Sequence, residues 1–108
     1  MNIEKTKAQM RKGVLEYCIL TIISKKEVYA SDILFQLKEA ELIVVEGTLY
    51  PLLTRLKNDG LLSYRWEESK SGPPRKYYEI TEAGKEFLKG LDKGWKDLVE
   101  AVEKLAGK

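Results

Sequence analysis

The chain has 108 residues, with 19 Lys plus Arg against 17 Asp plus Glu, no His, one Cys and a formal charge of +2. The length suits one domain, and 44% apolar with 33% charged residues describes a globular chain rather than a disordered one. Without His there is no imidazole acid–base catalysis, and one Cys cannot close an intrachain disulfide. No catalytic residue, metal or cofactor is therefore expected, and a reducing cytoplasm is the expected compartment. No apolar run approaches the ~20 residues of a membrane span, and the opening MNIEKTKAQMRKG lacks the apolar core of a signal peptide.

The first helix is expected over residues 8–24, where Val14, Leu15, Cys18, Ile19, Ile22 and Ile23 recur at helical spacing. Cys18 lies inside that stripe and reads as a core thiol. After a polar break at Lys25–Glu27, a second helix is expected near 30–40, with Ile33, Leu34 and Leu37 on one face and Ser31 or Asp32 serving its first turn. The short apolar run Leu42–Val45 reads as a small strand. A third helix spans about 46–59, buried through Leu49, Leu52, Leu53 and Leu56 and stopped by Gly60. Pro51 is tolerated there if it sits in or near the first turn.

Residues 61–67 and 76–81 are aromatic-rich and partly alternating, and they enclose ESKSGPPR, so a hairpin with a tip longer than two residues is expected. Trp66 on its first strand reads as a packing residue. Of Tyr77 and Tyr78, which point to opposite faces, one belongs to the core and the other to the surface. Thr81 then caps a last helix over about 82–106. Leu88, Leu91, Trp95, Leu98, Val102 and Leu105 follow a 3-4-3-4-3 spacing along it, a seam of about two and a half heptads.

The charge is unevenly spread. Residues 1–26 hold six basic against two acidic residues, and 27–45 come to −3. The stretch 69–76 holds Lys70, Arg75 and Lys76 and no acid, while 81–108 balances to zero. Basic clusters suggest phosphate partners without proving them.

The element order is helix, helix, short strand, helix, hairpin, long helix. That order is a winged helix-turn-helix with a long C-terminal dimerisation helix, mainly α with a small β-wing. Its expected division is residues 1–80 for DNA binding and 81–108 for dimerisation. In this architecture the third helix enters the major groove. Arg55 and Lys57, with the hydroxyls of Thr48, Tyr50 and Thr54, lie on its outer side. The wing adds Lys70, Arg75 and Lys76, and the N-terminal segment adds Arg11 and Lys12.

The strings GTLYPLLTRLKNDGLL (47–62) and SGPPRKYYEITEAG (71–84) strongly resemble the PadR family of bacterial and archaeal transcriptional regulators, over nearly the whole chain. The single C-terminal helix is similar to that of the short subgroup. The resemblance implies a cytoplasmic homodimer, usually a repressor, bound to a pseudo-palindromic double-stranded operator, with the last and first helices forming the dimer interface. It implies Thr48, Tyr50, Arg55 and Lys57 on the recognition helix, and Lys70, Ser71, Gly72, Pro73, Arg75 and Lys76 on the wing. Tyr29 and Ser31 open the second helix, where a phosphate contact is common in such folds.

Family members often carry Ser-Pro before the glycine that opens the recognition helix. Here Val45-Glu46 stands instead, and Val45 has no capping side chain. Some short members bind planar aromatic compounds in a pore at the dimer centre walled by a Trp of the last helix. The resemblance thus implies Trp95, flanked by Gly90 and Gly94, as a contact for a small aromatic effector; packing of the dimer core is the other reading. The rival class is a winged-helix protein-interaction module without DNA binding. An enzyme is disfavoured, because no nucleophile–base pair and no phosphate-binding glycine loop is present.

Overall fold

The computed structural model describes residues 1–69 and 71–107. Four helices, α1 (Ile3–Lys25), α2 (Ala30–Glu39), α3 (Glu46–Asn58) and α4 (Glu82–Leu105), surround strands β1 (Val28–Tyr29), β2 (Leu62–Ser69) and β3 (Gly72–Ile80). The strands form one antiparallel sheet in the order β1-β3-β2. This is the mainly helical winged fold expected.

Helix α1 starts five residues earlier than apolar spacing alone indicates. The reason is Asn2, whose Oδ1 accepts from the N–H groups of Glu4 (3.0 Å) and Lys5 (3.3 Å) and so satisfies two orphan donors. The far end of α1 supplies Ile19, Leu20 and Ile23 to the core. Ile33 and Leu37 of α2, Leu49, Leu53 and Leu56 of α3, and Val28, Leu62 and Tyr78 of the sheet meet them there. Each fully buried Leu or Ile contributes roughly 1.5–3 kcal/mol by leaving water. Tyr78 is thus the core tyrosine of its pair, and burial pushes its phenol pKa up.

Two expectations about strands are corrected. Leu42–Val45 forms no strand: α2 ends with Glu41 in the left-handed region (φ 64°), and Leu42 N–H bonds back to Leu37 C=O at 2.8 Å. The chain then runs without regular structure to α3, with Leu42 and Val44 turned to the core and Ile43 and Val45 outward. The small strand is instead Val28–Tyr29, paired with Tyr78 and Tyr77. Two residues are too few to show a period.

The hairpin also differs from expectation. Its strands run on to Ser69 and Gly72, which pair, so Gly-Pro-Pro lies within β3 rather than in a long tip. Between the pairs Glu67–Arg75 and Ser69–Gly72, two β3 residues, Pro73 and Pro74, face one on β2, a bulge that accommodates residues lacking N–H donors.

Pro51 sits in the second turn of α3, near its start as expected. The bond it cannot make would go to Gly47, which is exposed to solvent. Gly60 holds φ +79° beyond the C-terminus of α3, and Leu61 N–H returns to Leu56 C=O at 3.0 Å, as the sequence indicates. Thr81 caps α4 by accepting from Gly84 N–H at 3.0 Å.

Candidate nucleic-acid interface

Helix α3 buries Leu49, Leu53 and Leu56 and leaves Thr48, Tyr50, Thr54, Arg55 and Lys57 exposed. No side chain caps its start; the Val45 carbonyl accepts from Thr48 N–H at 3.0 Å and Leu49 N–H at 3.1 Å, and Glu46 favours the positive end of the helix dipole. The departure at Val45-Glu46 therefore leaves the helix formed.

A groove of about 490 Å³ separates α3 from the wing, lined among others by Tyr29, Ser31, Tyr50, Trp66, Arg75 and Lys76. Among the described residues that line it, none is acidic. Arg75 donates from Nη2 to Ser31 Oγ at 3.0 Å, and its guanidinium lies 3.9 Å from the centroid of the Tyr29 ring. Tyr29 in turn packs on Tyr77 at 4.7 Å, and its N–H donates to Asp32 Oδ2 at 2.9 Å. Arg75 is thus fixed by the start of α2 before any ligand arrives, through a hydrogen bond and a cation–π contact.

Lys76 lies 4.5 Å above Tyr64 and 5.5 Å from Trp66, while Lys57 approaches Tyr64 from α3 at 5.8 Å. Tyr64 therefore holds two cations, one from the helix and one from the wing. Apart from Lys57, whose place is on the flank of Tyr64, the expected residues Tyr29, Ser31, Tyr50, Arg75 and Lys76 share this groove.

The remaining expected residues fall elsewhere. Arg11, Lys12 and Thr48 line a second, more apolar groove between α1 and the α2–α3 connection, together with Cys18, whose thiol pKa burial raises. Ser71 and Gly72 are exposed on the wing. Lys70 lies outside the described residues. Arg55 faces α1 and forms an ion pair with Glu16. Arg65, on the far face of the wing, is held by Glu27 (2.8 Å) and Glu67 (2.5 Å) over the Tyr77 ring.

Trp66 is a residue that sequence reasoning misread. It is 61% exposed rather than packed, because the hairpin overhangs the core and carries it past the last buried side chain. Alternation places Leu62, Tyr64 and Trp66 on one face, and the structure grades them from buried to exposed along the strand.

On α4, Leu88 and Leu91 pack against the core of the same chain, whereas Trp95, Leu98, Val102 and Leu105 are exposed. The Trp95 ring lies 6.4 Å from Tyr17 of α1. Among the described residues no helix is long and apolar enough to cross a membrane, and no cluster of three metal-ligating side chains occurs.

A winged helix with an acid-free, aromatic and basic groove beside an exposed helix face defines a nucleic-acid-binding module. The sequence pattern of the transcriptional regulator PadR-like family matches residues 19–90. A PadR-like transcription factor from Bacteroides fragilis is 62% identical, with a TM-score of 0.80, over 94% of this chain and 98% of that one. A PadR family transcriptional regulator from Eggerthella lenta is 30% identical with a TM-score of 0.90, over 96% and 91%. An uncharacterized protein of Lysinibacillus sphaericus is 30% identical over 95 residues, 85% of this chain and 87% of that protein. The chain belongs to the PadR-like family: it is a DNA-binding transcriptional regulator, not an enzyme.

Proposed function

We propose that the chain works in the cytoplasm as a homodimeric repressor that binds a pseudo-palindromic double-stranded operator. The observation that carries this reading is the acid-free groove, in which Arg75, Lys76 and Tyr50 converge beside the exposed face of α3. Dimerisation has separate support. The polar side of α4 carries the ion pairs Lys85–Glu82, Lys89–Glu86 and Lys93–Asp97, while Leu98, Val102 and Leu105 of its apolar stripe are more than half exposed and Trp95 is partly covered by Tyr17. Residues 81–108 are then the dimerisation helix and 1–80 the DNA-binding unit. Leu88 and Leu91 mark where α4 passes from its own core to the partner.

In a two-fold dimer two α3 helices meet successive major grooves, so half-sites lie about 34–36 Å apart. Thr48, Tyr50 and Lys57 face the groove edge, and Arg55 reaches guanine only by leaving Glu16. Arg75, Lys76 and the wing tip, with Lys70, Ser71 and Gly72, engage the backbone, as do Tyr29 and Ser31 at the start of α2 and Arg11 and Lys12 on α1. A small planar aromatic effector stacked on Trp95 at the dimer axis relieves repression to the extent that it favours one helix spacing over the other.

Selection of bound duplexes from a random pool at stated salt tests the reading. Recovery of a two-fold symmetric motif supports it. A pool that stays random, with no retained DNA, overturns it in favour of a protein-interaction module.

A further inference from the structure

The two tryptophans stand in different surroundings. Trp95 lies on α4 beside Tyr17, whereas Trp66 projects from β2 into the groove between α3 and the wing. An indole 61% exposed on a sheet face that otherwise runs into the core is open to contact from outside the chain. Its setting narrows what that contact can be. Trp66 pairs across the strands with Lys76, whose ammonium sits 5.5 Å from its ring, and Tyr64 meets it edge-on at 6.0 Å and 88°. The indole is thus oriented. Across the groove stands Tyr50 of α3, itself 45% exposed, and Arg75 and Ser31 complete the rim. The neighbours of Trp66 along the strand, Arg65 and Glu67, turn to the opposite face and pair with each other there, and no acidic residue is among the described residues that line the groove.

We propose that Trp66 is a DNA-contacting residue that packs its indole against the sugar–phosphate backbone of the duplex, opposite Tyr50. This rests on the DNA-binding reading above and adds to it an apolar contact among the cations. Arg75 and Lys76 supply charge; Trp66 supplies a flat surface for deoxyribose and a single N–H donor for a phosphate oxygen. Because it carries no charge, it releases no counterion. Its loss lowers affinity without altering salt dependence, unlike the loss of a cation.

The test uses the full-length protein with two labelled duplexes, one bearing the selected operator and one of random sequence, across a salt series. Trp66→Ala is expected to weaken binding to both by about tenfold, or about 1.4 kcal/mol, with an unchanged salt slope. Trp66→Phe, which keeps the apolar contact, is expected to lose about threefold. Fluorine NMR of fluorotryptophan-labelled wild-type protein supplies a readout that does not depend on the Ala variant folding. The resonance missing from Trp66→Phe is expected to shift on addition of DNA. Unchanged affinity in Trp66→Ala, or a Trp66 resonance indifferent to DNA, overturns the proposal. A loss confined to the operator duplex overturns the backbone assignment in favour of base contact. Wild-type protein that binds neither duplex overturns the DNA-binding reading itself.

Discussion

The hydroxyl of Tyr17 donates a 2.6 Å hydrogen bond to Asp92 Oδ1, fastening the middle of α1 to the middle of α4. The bond requires a protonated phenol, and chiefly for that reason the pKa of Tyr17 is raised above its ordinary value of 10.0. A folded-state pKa above the unfolded one means stability that is fully present below about pH 10 and lost as pH climbs through the folded value. The wild-type protein is therefore expected to lose thermal stability above pH 10 more steeply than Tyr17→Phe, with the two running parallel below it. Melting curves across the alkaline range check this; identical slopes above pH 10 refute it.

The Arg75–Ser31 bond yields a prediction about DNA. Arg75→Ala removes a preset cation and is expected to weaken binding to every duplex. If Arg75 neutralises one phosphate, as proposed, the log–log salt slope is expected to become shallower by about 0.9. Ser31→Ala removes only the 3.0 Å anchor and leaves the Tyr29 stack, so it weakens binding less and leaves the slope as it was. Anisotropy titrations over a salt series separate the two. A full wild-type slope in Arg75→Ala removes Arg75 from the interface.

Arg55 illustrates what the sequence could and could not disclose. Its place on the outer side of a helix follows from the spacing of Leu49, Leu53 and Leu56, and that part was legible. Its ion pair with Glu16 was not, since 39 positions separate them and only the tertiary fold brings them together. The same division runs through the chain. The four helices, Gly60, Thr81 and the wing follow from periodicity and local cap chemistry. The misplaced strand came from a two-residue pairing and an αL turn at Glu41, which bears no glycine to announce it. The exposure of Trp66 is a third such case: alternation places it on the face of Leu62 and Tyr64, but how far the hairpin overhangs the core is set by the tertiary fold.

That pair itself can be tested. With side-chain exposures of 59% and 33%, Arg55–Glu16 is worth at most about 1 kcal/mol to the fold. Glu16→Gln is thus expected to unfold at nearly the wild-type temperature. It also releases a guanidinium on α3, the proposed recognition helix, so DNA binding is expected to tighten by a few-fold and the salt slope to steepen by up to about 0.9. Weaker binding in Glu16→Gln, with a native melting curve, assigns the pair to holding α3 in place instead.

Gly84 tests the junction of wing and α4. It is buried in the first turn of α4, where an added Cβ falls on the Leu61 carbonyl and 2.6 Å from Ile80 Cγ1. The Leu61 carbonyl accepts from Thr81 N–H at 3.1 Å and cannot move away without breaking that bond. Alanine gains about 1 kcal/mol of helix propensity over glycine, but overpacking against backbone costs about 1–3 kcal/mol and wins. Gly84→Ala is expected to lower the denaturation midpoint. A midpoint at or above wild type shows that α4 docks less tightly on the wing than these positions require.

The exposed apolar stripe of α4 allows the proposed dimer to be tested. Leu98 and Val102 are 55% and 57% exposed, so a charge at either position meets water in a monomer and apolar side chains in a dimer. Leu98→Glu combined with Val102→Glu is therefore expected to leave helix content and the melting of residues 1–80 nearly unchanged while halving the sedimenting mass. The monomer still presents Arg75, Lys76 and Tyr50, so it retains the weak, salt-sensitive binding of a single half-site. It loses the gain from linking two, which for joined sites reaches about 10²–10⁴ in affinity. Sedimentation velocity and titration of the paired and single half-sites read the two effects separately. A variant that stays dimeric moves the interface away from Leu98 and Val102. A monomer that binds the paired site as tightly as wild type shows that two-fold engagement of the operator contributes nothing.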